Sequence, residues 1–159
     1  MSSASLAGKV IALIGTGTDT ERRIAMACAE AGADLALGTR DPGQPSEFGM
    51  NSIANEAWVV GAEQFVRVLD AGDRGACEAF VEETWARYGG CDAFIATADG
   101  DAGAAAAFTK RMARTGHGVL VLCGAEIAMD GGDVVMKVEV SDPGLLVTTL
   151  AAAMESGGR

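Results

Sequence analysis

A short apolar run, Val10-Ile-Ala-Leu-Ile14, stops at Gly15-Thr16-Gly17, and behind the glycines Ile24, Ala25, Cys28 and Ala29 recur at helical spacing as far as Gly32. Residues in this pattern can hold an anion. A glycine turn between a strand and a helix aims free backbone N–H groups and the positive end of the helix dipole at one point, which suits a phosphate. Here the turn also carries Asp19 and Glu21, so the seat is negatively charged. Two further acids, Asp99 and Asp101, follow the apolar stretch 92–97. Asp19 is expected to cap a helix over 22–31, its carboxylate taking the N–H groups a phosphate would otherwise accept. The sharper alternative is that Asp19, Glu21, Asp99 and Asp101 converge and bind a cation or an amine-bearing ligand. Cys123 ends another apolar run, where a crevice nucleophile could stand. No histidine or lysine lies in sequence reach to activate it, and a buried thiol is the expectation. His117, the one histidine, sits between two glycines and reads as an exposed loop residue.

The elements that must position these residues alternate. A second strand over 34–37 leads into a turn-rich loop over 38–45, which holds two of the three prolines. The spacing predicts a helix over 50–60, a strand over 65–69 ending at Asp70, and a helix with Asp73 as its cap. Cys77, Phe80, Val81, Thr84, Trp85 and Tyr88 mark the inner face of that helix, and Gly89-Gly90 ends it. A strand over 92–97, an alanine-rich helix over 102–114 and a strand over 119–123 follow. Lys110, Arg111 and Arg114 read as the solvated face of that alanine-rich helix. Val134 to Val140 alternates in polarity, predicting a strand over 133–140. Asp142-Pro143 then reads as a cap and first residue of a last helix through Leu146, Leu150 and Met154. The expectation is one α/β domain over 1–159, a doubly wound parallel sheet of about six strands.

Composition narrows the classes. The chain has 159 residues, 49% of them hydrophobic and 21% charged, with mean hydropathy +0.22. A net charge of −10 argues against nucleic-acid or anionic-membrane partners. Cys28, Cys77, Cys91 and Cys123 lack C-x-x-C spacing and read as reduced thiols of a cytoplasmic protein, with no metal site. No apolar run approaches the ~18 residues of a membrane span.

Taken together, the motifs resemble those of the short-chain dehydrogenases/reductases, from Leu6 to Thr148 with a large gap. Leu6-Ala-Gly-Lys-Val10 is similar to that family's lead-in to its first strand. Gly15 and Gly17 sit in its T-G-x-x-x-G-x-G turn. Arg40 lies where members that prefer NADP often carry a basic residue, and Asp70 matches the aspartate near the adenine. Ala96-Thr97-Ala98-Asp99 occupies the N-N-A-G position, and Pro143 to Thr148 fits the late P-G-x-x-x-T motif, whose threonine usually faces the nicotinamide amide. The resemblance implies a Rossmann-like fold with a reduced helical layer. It also implies that Gly15, Gly17, Asp19, Glu21, Arg40, Asp70, Asp99 and Thr148 are the remnant of a cofactor site.

The departures carry the functional reading. Two turn glycines are replaced by Asp19 and Glu21, and no serine occurs between Ser52 and Ser141. The Tyr-x-x-x-Lys helix is missing; Tyr88, the sole tyrosine, lies on an earlier helix. Hydride transfer to a carbonyl needs a proton donor within hydrogen-bond reach. A like-charge contact at ~4 Å near a protein surface costs roughly 4 kcal/mol, against ~1.5–3 kcal/mol per residual charged hydrogen bond. NAD(P) is therefore disfavoured as cofactor. Removing both Asp19 and Glu21 is expected to help a dinucleotide more than removing either. The expected protein is a catalytically degenerate member with no catalytic residues of the family type, acting as a non-catalytic subunit or binding partner, possibly of an active dehydrogenase. Its strand over 119–123 is apolar on both faces, while the helix expected to follow it is absent. Either the last helix, through Leu146, Leu150 and Met154, folds back to cover that face, or a homo- or hetero-oligomer covers what it leaves bare. The alternative is an NAD(P)-binding oxidoreductase, a remodelled-crevice enzyme or a ligand sensor.

Overall fold

The computed structural model describes residues 5–123, 136–140 and 143–157. Six parallel strands, β1 (Val10–Gly15), β2 (Asp34–Thr39), β3 (Gln64–Arg67), β4 (Ala93–Ala96), β5 (Val119–Cys123) and β6 (Met136–Val140), form one sheet in the order β3-β2-β1-β4-β5-β6. This is the doubly wound Rossmann-like arrangement, with the change of direction between β1 and β4. The helices are α1 (Asp19–Glu30), α2 (Gln44–Val59), α3 (Arg74–Tyr88), α4 (Ala102–Thr115) and α5 (Leu146–Gly157).

The central strands are apolar at every position because both faces are covered. Ile11, Leu13, Leu35, Leu37, Ile95 and Val121 pack under α1, α2 and α5. Val10, Ala12, Ile14, Phe94, Leu120 and Leu122 pack under α3 and α4. On the second face Phe108 of α4 is the hub. It stacks on Phe94 with centroids 4.9 Å apart and meets Phe80 edge-on at 5.5 Å.

Most predicted elements lie within a few residues of their expected places, and the differences have local causes. Helix α2 begins at Gln44, well before residue 50, because Gly43 takes the cap position and Pro45 suits the first turn, where no N–H is needed. Asp41 supports that start, its carboxylate accepting Gly43 N–H and Ser46 Oγ–H at 2.8 Å each. Pro143 opens a short 3₁₀ turn ahead of α5; residues 133–135 and Asp142 lie outside the described residues.

Of the two ways to cover β5, the structure takes the internal one. Val119, Val121 and Cys123 lie under α5, whose Leu146 and Leu150 are fully buried, and Leu120 and Leu122 lie under α4. The last helix folds back over the sheet, so that strand gives no reason for a partner.

One packing contact bears directly on the crevice. Gly17, in the left-handed region at φ +93°, lies against Gly49 of α2 so closely that a Cβ on Gly17 would stand 2.5 Å from Gly49 Cα. A Cβ on Gly49 would stand 2.5 Å from the Thr16 carbonyl oxygen. Both obstacles are backbone and cannot rotate away. Gly49→Ala should therefore destabilise the fold by about 1–3 kcal/mol, although alanine gains ~1 kcal/mol of helix propensity. The midpoint of urea unfolding measures this, and a midpoint at or above wild type would contradict the packing.

Candidate functional site

The crevice at the carboxyl ends of β1, β2 and β4 is where an open doubly wound sheet binds ligands. Its floor is the turn after β1. Thr18, not Asp19, is the cap of α1: its Oγ1 accepts Glu21 N–H at 3.2 Å, and Glu21 reaches back to Thr18 N–H at 2.9 Å. This reciprocal pair is a capping box, written in the sequence as Thr18-x-x-Glu21. Asp19 is the first helical residue. Its carboxylate is 71% exposed and pairs with Arg22 and Arg23 on the outside of α1.

Glu21 does more than complete a cap. Its Oε1 also accepts Thr16 N–H at 3.0 Å and Gly17 N–H at 2.9 Å. Its carboxylate fills the space beside Gly15, where a Cβ would stand 2.5 Å from the carboxyl carbon. The expectation of a seat guarded by repulsion is thus corrected. Glu21 consumes the donors itself, and Asp19 takes no part.

Above Glu21 lies Arg40, which follows β2. Its Nη2 donates to Glu21 Oε2 at 3.0 Å, Thr97 Oγ1 at 3.1 Å and the Ile14 carbonyl at 3.3 Å. Its Nε donates to Asp101 Oδ1 at 2.8 Å. Asp101 is fully buried and accepts Thr97 N–H at 2.8 Å and Ala98 N–H at 3.3 Å through Oδ2. The alternative in which four acids converge is reduced to two. Glu21 and Asp101 meet, and the cation between them is the chain's own guanidinium; Asp99 is exposed beyond the rim. Among the described residues, no buried side-chain nitrogen or oxygen lacks a partner, and no cluster of three or more potential metal ligands occurs.

These contacts set the charge states. Burial pushes the Glu21 carboxyl up, but the Thr18 N–H, the Arg40 charge and the Thr16 N–H outweigh it and hold it below the ordinary 4.5. Burial likewise works against the charge on Arg40, and Asp101 and Glu21 more than restore it.

The other sequence-designated residues lie apart from this network. Asp70 is exposed and accepts Gly72 N–H in a surface turn. Thr148 is exposed on α5. Tyr88 donates to the Leu35 carbonyl near the start of β2, the opposite end of the strand from the crevice, and its phenol is pushed up to about 12, chiefly by burial. Cys123 is buried, and burial raises its thiol. His117 is exposed and lies 3.1 Å from Asp92. The part played by Gly49 left no signal in the sequence. That of Thr18 did, in the capping-box spacing.

No family model matches the sequence, and no curated protein matches it. Solved structures are similar in fold. A short-chain type dehydrogenase/reductase from Mycobacterium marinum has a TM-score of 0.65 and 19% identity, covering 76% of this chain and 55% of that one. A putative short-chain dehydrogenase/reductase from Burkholderia xenovorans has a TM-score of 0.66 and 19% identity, covering 77% of this chain and 56% of that one. A hydroxysteroid dehydrogenase from Escherichia coli has a TM-score of 0.63 and 16% identity, covering 95% of this chain and 63% of that one. The chain thus has the short-chain dehydrogenase/reductase fold and spans 55–63% of the length of these three neighbours.

Two predictions follow from the geometry. Arg40→Met leaves two buried carboxylates unpaired and should cost about 3–5 kcal/mol, whereas Asp19→Ala should change stability by less than ~1 kcal/mol; chemical denaturation separates them. The second concerns pH. A carboxylate whose folded pKa is depressed contributes stability above its unfolded value, lost as pH falls through the folded one. Wild type should lose stability below pH 4.5 more steeply than Glu21→Gln, which cannot titrate there. Urea midpoints measured across that range provide the check.

Proposed function

We propose that this chain is a catalytically degenerate dehydrogenase-like protein that works as a non-catalytic subunit or binding partner, with an active dehydrogenase of the same fold as its counterpart. The observation that carries the reading is the Glu21 carboxylate, which accepts Thr16, Gly17 and Thr18 N–H, the donors a dinucleotide phosphate would need. Arg40, the cation nearest that seat, is committed to Glu21 and Asp101. The Gly17–Gly49 contact sets the backbone of α2 against that turn, which on this reading closes the approach of a pyrophosphate. Among the described residues no family-type proton donor stands at the sheet ends: the one tyrosine, Tyr88, donates to the Leu35 carbonyl, and the sequence has no serine between Ser52 and Ser141. NAD(P) is therefore not a working cofactor of this chain.

Association is supported by α2, which holds Phe48 81%, Trp58 69% and Val59 76% exposed. Trp58 and Val59 are neighbours near the end of α2, and exposed apolar surface of this kind is what a partner would cover if it extends to a contiguous patch. Among the described residues no helix is long and apolar enough to cross a membrane. The four free, buried thiols fit a reducing, cytoplasmic setting.

Native mass spectrometry of the protein from its own cells, joined to titration calorimetry with NAD(H) and NADP(H), tests the reading. The expected result is a heteromeric mass without nucleotide, and no binding at micromolar concentration. A monomer or any assembly carrying a stoichiometric dinucleotide would overturn it.

A further inference from the structure

Glu21 has the contacts of a bound anion, except that it is tethered to the protein. A capping-box glutamate need only accept the N–H of its cap residue. This one also accepts two N–H groups upstream of the cap, and a guanidinium arriving from the end of another strand. Its side chain is 4% exposed, and it fills the room left by the missing side chain of Gly15. Arg40 is held from its other side by Asp101, which in turn ties down the loop after β4 through Thr97 and Ala98. One carboxylate thereby links the ends of β1, β2 and β4, the place where an open sheet is otherwise bridged by whatever it binds.

The geometry points to a self-ligated anion site. Glu21 is an intramolecular ligand that closes the crevice and fastens the three strand ends. Removing its carboxylate leaves a seat, made by the Thr16, Gly17 and Thr18 N–H groups and Arg40, that takes a small free oxyanion. This is independent of whether the chain works as a subunit, because its readout is the stability of the purified chain with simple anions.

The test compares full-length wild type, Glu21→Ala and Glu21→Gln by thermal unfolding at neutral pH. Sodium formate and sodium phosphate are each titrated against sodium chloride at matched ionic strength. Wild type should show only the general salt response. Glu21→Ala should melt lower and regain several degrees, saturably, with formate or phosphate. A response to formate alone would mean a seat of carboxylate size, and a response to both a seat that also admits phosphate. Glu21→Gln should melt lower without recovering, since its amide still occupies the seat but cannot pair with Arg40 as an ion. The inference fails if Glu21→Ala responds no more than wild type, or if Glu21→Gln melts with wild type. Should Glu21→Ala not fold, the melting of the isosteric Glu21→Gln decides alone.

Discussion

A carboxylate withdrawn from water must recover its solvation from fixed donors, or it protonates. Glu21 recovers it from three consecutive backbone N–H groups and one guanidinium. That requirement constrains its surroundings. The turn must keep Thr16, Gly17 and Thr18 pointing inward, Gly15 must lack a side chain, and Arg40 must turn into the sheet end instead of out to solvent. Because Arg40 would otherwise face Glu21 with one side uncompensated, Asp101 completes it, and Asp101 needs Thr97 and Ala98 N–H in turn. The trio carries a net charge of −1, set against five inward backbone donors.

The network occupies the one part of this architecture that is structurally incomplete by construction. Where neighbouring strands send their connections to opposite faces, a crevice opens at the switch point between β1 and β4. Filling it with a ligand leaves the apo protein with unpaired donors at a helix end. Filling it with side chains satisfies those donors permanently and removes the site. In this chain the Glu21 carboxylate accepts those donors inside the turn, and the α2 backbone stands against the turn at Gly49. The absence of side chains at Gly17 and Gly49 lets the turn and α2 approach each other.

The remainder of the sheet closes by ordinary burial. Alanines at 104 and 105 let α4 approach β4 and β5, and Phe108 fills the space between Phe94, Phe80 and Trp85. On the other face α5 returns over β5 and β6 through Leu146, Leu150 and Met154. Among the large apolar side chains left exposed are Phe48 and Val59 of α2, on the side of the helix away from the buried Met50, Ile53 and Ala57.

The strand–helix alternation, the parallel sheet and the location of the crevice were legible in the sequence, because apolar runs and helical periodicity are local patterns that burial on two faces imposes. Glu21 and Asp101 were legible as acids beside the strand ends, Arg40 only through the resemblance, and Thr18-x-x-Glu21 carried the cap in plain spacing. Three matters belonged to tertiary structure alone. Whether Glu21 repels an anion or replaces one depends on where a rotatable side chain points, and that is set by Arg40, nineteen positions away. Which acids converge depends on the loop after β4, which buries Asp101 and exposes Asp99 two residues earlier. Whether β5 is covered depends on the return path of α5. Each is a contact between segments distant in the chain, so no local pattern could encode it.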